Sequence, residues 1–539
     1  MAQVRAADVL AQRLYAAGCR HAFGMPGGEV LTLVDALEKA GITFVLAKHE
    51  NAAGFMAEGV YHRTGVPGIL VATVGPGALN GINVVENARQ DRVPLIVLTG
   101  AVDAGEAETY THQVLDQPQV FRPITKHSFT FVPDAAQVIA DKAVNLAMDP
   151  QPGPVHIDVP ISAADTLVET RGAPLRAAHD PVVPAAAVLK QMATDLSAAQ
   201  RPVMVVGVDA IEARAAQAVK RFAEQQNIPV ITTYKAKGVV PEDHPLALGG
   251  AGLSPKADAL LLPILHQADV VLAVGYDPIE MRVGWKNPWD PVAQKVIELT
   301  TVANTHYMHH ATQTALVDIA AALEALAAVS PSDHALRWAG GEIDAAKAAL
   351  DAAFPRGENW GPAAVMDTCR QVLPRDTVAS ADSGAHRILL SQMWECYEPR
   401  GLVQSSGLCT MGCAVPLAMG MSLAEPERVS VSFSGDAGFL MVAGELATAA
   451  ELKLKTIFVV FVDASLALIE KKQRERQLSN AGVDFVQHDF AALGRALGGG
   501  GVTVRDRDAL RAALQDAVTS DRFTVIAAVI EKGAYDGRL

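Results

Sequence analysis

Two aspartates in the last third of the sequence have the residue type and the spacing of ligands for a hard metal ion. Asp436 follows the apolar stretch 428–435, and Asp463 ends the apolar stretch 456–463, 27 positions later. That separation accommodates one helix and one strand, so both carboxylates are expected at the carboxyl edge of one parallel sheet, where open α/β sheets bind ligands. Such oxygens suit Mg²⁺, which usually accompanies phosphate groups. The alternative for either residue alone is an ordinary aspartate at the end of a strand.

Small residues surround the first of these aspartates. Gly435, Ala437 and Gly438 would allow the backbone to approach a phosphate closely, and the helix that follows would favour negative charge at its N-terminus. A glycine-rich turn also occurs without any ligand. The pair of aspartates makes the phosphate-binding interpretation the stronger one.

A lone carboxylate, Glu50, lies between a strand-like stretch at 43–47 and a run of small residues. Burial there would favour its protonated form, so it could share a proton with a bound base. The alternative is a first-turn helix residue stabilised by the helix dipole. Two glycine turns, at 24–28 and 75–77, are expected at the same sheet edge.

Short apolar stretches alternate with helical patterns along the whole chain. Strands buried on both faces and separated by helices are typical of parallel sheets covered on both sides. We therefore predict an α/β protein of three doubly wound parallel-sheet domains, at residues 1–170, 185–330 and 360–539. Helices are expected at 6–17 and 210–226. The stretch 249–252 is expected to be a strand-to-helix turn, and the alternative is that its glycines cradle a nucleotide. The predicted strands are 43–47, 68–73, 94–100, 202–207, 229–233, 269–275, 295–300, 377–382, 428–435, 456–463 and 524–530.

Composition excludes several classes of protein. The chain has 539 residues, 19% of them charged, and a net charge of -14, which disfavours binding to nucleic acid or to an anionic membrane. Its five cysteines do not form a disulfide framework, and no run of about 20 apolar residues could span a membrane. We expect a cytoplasmic protein without nucleic-acid or membrane partners.

Five motifs and one aspartate together resemble the thiamine-diphosphate enzymes of the acetolactate synthase and pyruvate oxidase group. They are FGMPGG, KHE, TVGPGALN, SGLCTMG and SGDAGF, with Asp463 in addition, and they span nearly the whole chain. The resemblance implies a pyrimidine-binding, a central and a diphosphate-binding domain. It also implies thiamine diphosphate and Mg²⁺ as cofactors.

The resemblance assigns roles to individual residues. Glu50 would hydrogen-bond the aminopyrimidine ring of the cofactor, and Gln113, with His112 beside it, would face the reacting carbon from a neighbouring chain. Asp436, Asp463 and the backbone carbonyl of Ser465 would hold the metal ion. The other cofactor-binding residues that it implies are Pro26, Gly27, Gly75, Asn80, Gly384, Ala385, His386, Met411, Gly435, Ala437, Gly438 and Ser465.

The activity implied is decarboxylation of a pyruvate-like 2-oxo acid with carboligation to a second carbonyl, in a homodimer or homotetramer. The alternatives are another thiamine-diphosphate decarboxylase or C–C lyase with a different donor, or a flavin-dependent enzyme of the pyruvate oxidase type. The stretch 275–285 resembles flavin-free acetolactate synthases, so FAD is expected to be absent. Ala437 and Cys409 stand where the family usually has glycine, and the helix after Asp463 differs from biosynthetic acetolactate synthases. Donor and acceptor therefore stay open.

Overall fold

Three six-stranded parallel sheets organise the chain in a computed structural model that describes residues 3–170, 174–175, 180–331 and 337–539. Each sheet has apolar side chains on both faces. In the strand at Gly68–Ala72, for example, Leu70 packs into one core while Ile69 and Val71 pack into another. The prediction of three α/β parallel sheets is confirmed.

The first sheet lies within residues 21–160 and has the strand order β3-β2-β4-β5-β7-β6. A two-stranded antiparallel pair, β1 with β8, lies outside it. The strands are β1 (Gln3–Arg5), β2 (His21–Met25), β3 (Thr43–Leu46), β4 (Gly68–Ala72), β5 (Leu95–Ala101), β6 (His127–Thr130), β7 (Val155–Pro160) and β8 (Leu167–Glu169). The helices are α1 (Ala6–Ala16), α2 (Leu31–Ala40), α3 (Glu50–Thr64), α4 (Pro76–Asn80), α5 (Ile82–Gln90), α6 (Ala104–Ala107), α7 (Gln117–Phe121), α8 (Ala136–Met148) and α9 (Ile161–Asp165).

The strand predicted at 43–47 is less buried than its apolar sequence indicates. β3 is the edge strand of the first sheet, and Thr43 and Leu46 are exposed. The prediction of a strand buried on both faces is wrong here. β3 pairs only with β2, so it lies at the margin of the sheet, where fewer residues cover its side chains.

The second sheet has the order β11-β10-β9-β12-β13-β14. Its strands are β9 (Pro202–Val206), β10 (Val230–Thr233), β11 (Ala247–Ala251), β12 (Val270–Val274), β13 (Lys295–Thr300) and β14 (Gln313–Leu316). The helices around it are α10 (Ala186–Ala198), α11 (Val208–Glu212), α12 (Ala216–Gln226), α13 (Pro255–Gln267), α14 (Ile319–Val329) and the connecting α15 (Glu342–Ala353).

Two local predictions in the second domain are wrong. The helix expected at 210–226 is interrupted between α11 and α12, where Arg214 has a left-handed backbone with φ of 52° that ends a right-handed helix. The turn expected at 249–252 is mostly the strand β11, which pairs with β10. A Cβ at Gly250 would lie 2.9 Å from the side chain of Lys237, so close packing explains a glycine in this strand.

The third sheet has the order β16-β15-β17-β18-β20-β19. Its strands are β15 (Val378–Ala381), β16 (Leu402–Gln404), β17 (Ser430–Gly435), β18 (Ile457–Val462), β19 (Gly500–Val504) and β20 (Thr524–Val529). Its helices are α16 (Pro362–Val372), α17 (Ala385–Met393), α18 (Ala414–Ala424), α19 (Asp436–Val442), α20 (Glu445–Glu451), α21 (Ala467–Glu475), α22 (Phe490–Ala496) and α23 (Arg507–Thr519). Single 3-10 turns lie at Gly28–Val30, Arg122–Ile124, Pro133–Ala135, Pro278–Glu280 and Val283–Trp285.

The first and third domains of the chain pack directly against each other through α3 and α18. A Cβ at Gly59 would lie 2.3 Å from the carbonyl oxygen of Leu417, and one at Gly420 would lie 2.0 Å from that of Met56. The two helices therefore touch backbone to backbone, which only glycine permits. One apolar core continues from the first sheet through these helices into the third.

Candidate active site

A cavity of about 340 Å³ opens at the carboxyl edge of the third sheet, where β15, β17 and β18 end. Ligands of parallel α/β sheets bind at this edge because the loops after the strands meet there. The cavity is lined by every site residue that the sequence predicted in the third domain, namely Gly384, Ala385, His386, Met411, Gly435, Asp436, Ala437, Gly438, Asp463 and Ser465.

Asp436 and Asp463 face this cavity from neighbouring strands. Asp436 begins α19, and its carboxylate accepts hydrogen bonds from the backbone N–H groups of Asp463, at 3.2 Å, and Ala464, at 2.7 Å. The Asp463 carboxylate in turn accepts from the N–H of Ser465 at 3.3 Å. The common edge inferred from the 27-residue spacing is therefore the arrangement seen.

The electrostatics of the pair favour a bound cation. Burial raises the pKa of Asp436 above its ordinary value. Burial, and then the charge of Asp436, raises the pKa of Asp463 to about 7. Two carboxylates held this close repel each other when both are ionised, and a divalent cation between them removes that repulsion.

Asp382, which was not among the predicted site residues, connects the loop after β15 to the loop that precedes α18. It is fully buried, and its carboxylate accepts backbone N–H bonds from Ser383 at 2.9 Å, Gly412 at 3.0 Å and Cys413 at 3.2 Å. Burial raises its pKa to about 6, although these N–H groups oppose the shift. A Cβ at Gly438 would lie 2.0 Å from an oxygen of Asp382, so α19 can begin here only with glycine at that position.

His386 lies in the first turn of α17 on the cavity wall. Its ring stacks on Phe461 with centroids 5.5 Å apart, and its Nε2 is buried without a hydrogen-bond partner among the described residues. Burial, together with the neighbouring charge of Arg387, lowers the pKa of His386 to about 3. A neutral imidazole with an open nitrogen is suited to accept or donate one hydrogen bond to a bound group.

Several lining residues were not predicted, and they come from separate parts of the chain. Arg282 reaches the cavity from the second domain, and Lys472 does so from α21. No local signal in the sequence marks Arg282, whereas Arg387 directly follows a predicted residue and could have been found. The other unpredicted lining residues are Ser383, Ile388, Cys409, Phe461, Leu466, Ala467, Leu468, Ile469 and Tyr535.

A second group of predicted residues gathers at the carboxyl edge of the first sheet. Glu50 begins α3 with 5% of its surface exposed, and its Oε2 accepts a hydrogen bond from the Nδ2 of Asn80 at 3.0 Å. A Cβ at Gly77 would lie 3.0 Å from the other Glu50 oxygen. The carboxylate therefore sits against the glycine turn that follows β4, as the sequence predicted.

The glycine turns and the loop after β5 complete this second group. A Cβ at Gly27, which follows Pro26, would lie 2.2 Å from the hydroxyl of Thr73. A Cβ at Gly75 would lie 3.2 Å from the carbonyl oxygen of Gln113. His112 and Gln113 are exposed, and Gln113 has a left-handed backbone with φ of 60°.

No described residue of the first domain lines the cavity of the third domain. One chain thus presents two half-sites, one with paired carboxylates and glycine turns, the other with Glu50 beside Asn80. They are on different domains, and each lies at the carboxyl edge of a parallel sheet, where ligands of such sheets bind.

Three family models match the three domains in order. The N-terminal TPP binding domain of thiamine pyrophosphate enzymes matches residues 4–120, the central domain matches 189–326 and the C-terminal TPP binding domain matches 382–528. The chain is also 30% identical to the acetolactate synthase isozyme 3 large subunit of Escherichia coli (strain K12), over 97% of this chain and 93% of that protein. The chain belongs to the thiamine pyrophosphate enzyme family.

Similarity extends over several acetolactate synthases. The acetolactate synthase of Bacillus subtilis (strain 168) is 29% identical over 97% of this chain and 92% of its own length. The catabolic acetolactate synthase of Raoultella terrigena is 27% identical over 97% and 95%. The predictions of a thiamine-diphosphate enzyme resembling acetolactate synthase, and of that cofactor, are confirmed.

The residues present fit the cofactor of this thiamine pyrophosphate enzyme. The glycines at the start of α19 leave room for a diphosphate, and the open Nε2 of His386 could hydrogen-bond it. The carboxylates of Asp436 and Asp463 are oxygen groups of the kind that would bind Mg²⁺. Within the described ranges, no cluster of three histidine, cysteine or acidic side chains could hold a metal ion. The pair of aspartates would therefore need backbone, phosphate or water oxygens to complete the ion's shell. None of the described helices is long and apolar enough to cross a membrane.

Proposed function

We propose that this thiamine pyrophosphate enzyme decarboxylates a pyruvate-like 2-oxo acid and joins the remaining fragment to a second carbonyl compound, as the name acetolactate synthase describes for its relatives. The observation that supports this most is the cavity in which paired aspartates, glycine turns and two cationic side chains meet. The near full-length similarity to acetolactate synthases supports the same reaction class.

Bound thiamine diphosphate supplies the electron sink for this chemistry. In our proposal, Asp436, Asp463 and the carbonyl of Ser465 hold Mg²⁺, and the ion anchors the diphosphate. Glu50 holds a proton at the pyrimidine ring and thereby polarises it, and its burial beside Asn80 supports that role.

The glycine turns would hold the diphosphate of the bound cofactor. We propose that Gly384, Ala385 and His386 contact it from one side and Gly435, Ala437 and Gly438 from the other. Met411, which lines the cavity, would support the bound cofactor. Pro26, Gly27, Gly75 and Asn80 contact the pyrimidine end, and His112 and Gln113 face the reacting carbon.

The outer part of the cavity fits a small anionic substrate. Burial and the neighbouring charge of Arg387 lower the pKa of Arg282. A bound carboxylate would therefore stabilise the positive charge of Arg282. Lys472 adds a second positive charge, and Leu468 and Ile469 make the remaining wall apolar. These features suit the carboxylate and the short carbon chain of a 2-oxo acid.

We propose that two copies of the chain form each complete site, with the first domain of one copy facing the third domain of the other. Large apolar side chains are exposed beside both half-sites. Leu79 and Leu115 flank the first, and Met441 and Ile469 flank the second. An isologous contact would cover all of them and would create two equivalent sites. Assembly of such dimers into a homotetramer is our further expectation.

Subunit complementation tests this arrangement. Glu50→Gln and Asp436→Ala are each expected to be inactive, but mixed dimers would contain one site with both defects and one with none. At complete random exchange, about a quarter of the wild-type activity should return, because half of the dimers are mixed and each has one of two sites intact. Mixing Asp436→Ala with Asp463→Ala is the matched control, since every site then keeps one defect.

The reaction is tested with a panel of 2-oxo acids, with CO₂ and products followed by mass spectrometry. A carboligation product from a pyruvate-like donor is expected. CO₂ with an aldehyde only would indicate a simple decarboxylase. The flavin-dependent alternative predicts a visible spectrum of bound flavin in the purified protein. We propose that FAD is absent, because the cavity beside Gly249 and Gly250 measures only about 130 Å³, smaller than ordinary ligand sites.

A further inference from the structure

Three polar residues spaced four positions apart follow one face of α5 and its C-terminal cap. They are Asn83, Asn87 and Asp91, and we call them the polar stripe. Residues four apart lie on the same side of a helix. All three contact the segment 405–410, which belongs to the third domain and leads into Met411 at the cavity. The first domain therefore contacts this segment, and the segment in turn forms part of the cavity wall in the same chain.

Asp91 makes the strongest of these contacts. Its buried carboxylate accepts the backbone N–H of Gly407 at 2.8 Å and that of Ser406 at 3.0 and 3.1 Å. Lys235 of the second domain lies 3.2 Å from the same carboxylate. Hydrogen bonds to a buried ionised acceptor are stronger than neutral ones, so Asp91 fixes the backbone of this segment.

The two asparagines fix the rest of the segment. Asn87 is fully buried, accepts the hydroxyl of Ser405 at 2.5 Å, and is itself oriented by Glu58, to which its amide donates. The Ser405 hydroxyl oxygen then accepts the backbone N–H of Thr410 at 2.8 Å. Asn83 accepts the hydroxyl of Thr410 at 3.1 Å. Both ends of the segment are thus tied to α5.

The segment needs such support, because its backbone is strained next to the cavity. Cys409 has a left-handed backbone with φ of 55°, a conformation that persists in non-glycine residues only when the surroundings hold it. Within the third domain, Arg387 donates to the sulfur of Cys409 at 3.2 Å, and Asp382 accepts the N–H of Gly412 at 3.0 Å. The polar stripe adds hydrogen bonds from the first domain.

We propose that the polar stripe, and Asp91 above all, is a positioning device that holds Met411 and Cys409 in the cavity wall. This inference rests on the proposed function, in which Met411 supports the cofactor. The first domain then has two tasks. Glu50 serves the cofactor of the partner copy, and the polar stripe shapes the cofactor site of its own chain.

The test compares Asp91→Asn with Arg92→Gln in the cofactor-loaded enzyme. The adjacent Arg92 crosses a domain boundary too, donating to Asp277 at 2.8 Å, and among the described residues its side chain has no hydrogen bond or ion pair to the segment 405–410. For Asp91→Asn we expect kcat to fall by about 10²-fold, as misplacement of a supporting group by about 1 Å can cause. The amides of residues 404–413 should exchange hydrogen at least about tenfold faster, because they lose a charged acceptor. Thiamine diphosphate affinity should change little, since the metal anchor is intact.

Arg92→Gln should leave both kcat and the exchange of residues 404–413 close to the wild-type values. Equal losses in the two variants would overturn the proposal, and so would wild-type kcat in Asp91→Asn. If Asp91→Asn does not fold, Asn83→Ala decides the point, because Asn83 is exposed. Unchanged amide hydrogen exchange of residues 404–413 in Asn83→Ala would refute the positioning role of the polar stripe. Amide exchange needs no turnover, so an enzyme inactive on every 2-oxo acid would refute the proposed function without affecting this result.

Discussion

The affinity for Mg²⁺ should depend on pH through Asp463. Its pKa of about 7 in the metal-free protein means that, below neutral pH, a proton must leave this carboxylate before the metal ion binds. This proton fixes the direction of the pH dependence of Mg²⁺ affinity. Apparent affinity rises with pH up to about 7 and is constant above it, as far as this group is concerned.

The magnitude follows from the displaced proton. Well below pH 7, each further pH unit should weaken Mg²⁺ binding about tenfold through Asp463 alone. Between pH 7 and pH 5 the loss should be about 50-fold, because half of the Asp463 carboxyls are already protonated at pH 7. The raised pKa of Asp436 and the cofactor's own phosphate, which titrates near pH 6, add further dependence. A variant without the Asp463 proton is therefore the necessary baseline.

Asp463→Asn provides that baseline, because an amide oxygen can still ligate a metal ion but does not titrate. Calorimetry with Mg²⁺ and saturating thiamine diphosphate, at pH 5 to 8, gives the affinity and, in two buffers of different ionisation enthalpy, the number of protons released. The wild-type slope should exceed that of Asp463→Asn by nearly one proton around pH 6. Equal slopes in the two proteins would show that Asp463 is not a ligand or is already ionised.

Two more predictions concern buried groups of the third and second domains. Gly438→Ala should abolish binding of thiamine diphosphate in a calorimetric titration, because the added Cβ would lie 2.0 Å from Asp382. The control Gly444→Ala should bind normally, because the nearest atom to its Cβ would be 3.9 Å away. Tight binding by Gly438→Ala would contradict the packing described. Burial and the charge of Asp277 raise the pKa of Asp209 to about 7, so the folded protein loses stability as pH rises from about 4 to 7. Asp209→Asn should therefore raise the free energy of unfolding at pH 8 by up to ~4 kcal/mol, which corresponds to about three pKa units. Chemical denaturation should show a smaller gain at pH 5. An equal gain at the two pH values would contradict the raised pKa of Asp209.

Much of the third-domain half-site was predictable from local sequence. A strand followed by Asp436, then a helix, a strand and Asp463 leaves little choice of topology, since crossovers between parallel strands are long and bring the strand ends to one edge. The glycines near Asp436 and the placement of Glu50 at the first turn of α3 follow from similarly short-range patterns. The three parallel sheets were predictable for the same reason, because periodicity reports which faces of an element are buried.

Other features depend on contacts between distant parts of the chain. β3 has an apolar sequence but lies at a sheet edge, and the glycines of β11 form a strand because β10 and Lys237 lie beside them. The role of Asp382 becomes visible only when Gly412 and Cys413, about 30 positions later in the chain, bring their backbone N–H groups to its carboxylate.

The same holds where domains meet. Arg282 reaches the cavity from the second domain, and Asp91 holds a segment more than 300 positions away. Residue type and periodicity encode the local element and its buried face, whereas the partner of a buried polar group is chosen by the packing of whole domains. For this chain, the sequence alone was sufficient for the three parallel sheets and for the common sheet edge of Asp436 and Asp463. Only the tertiary structure decided which loops, from which domains, enclose the cavity.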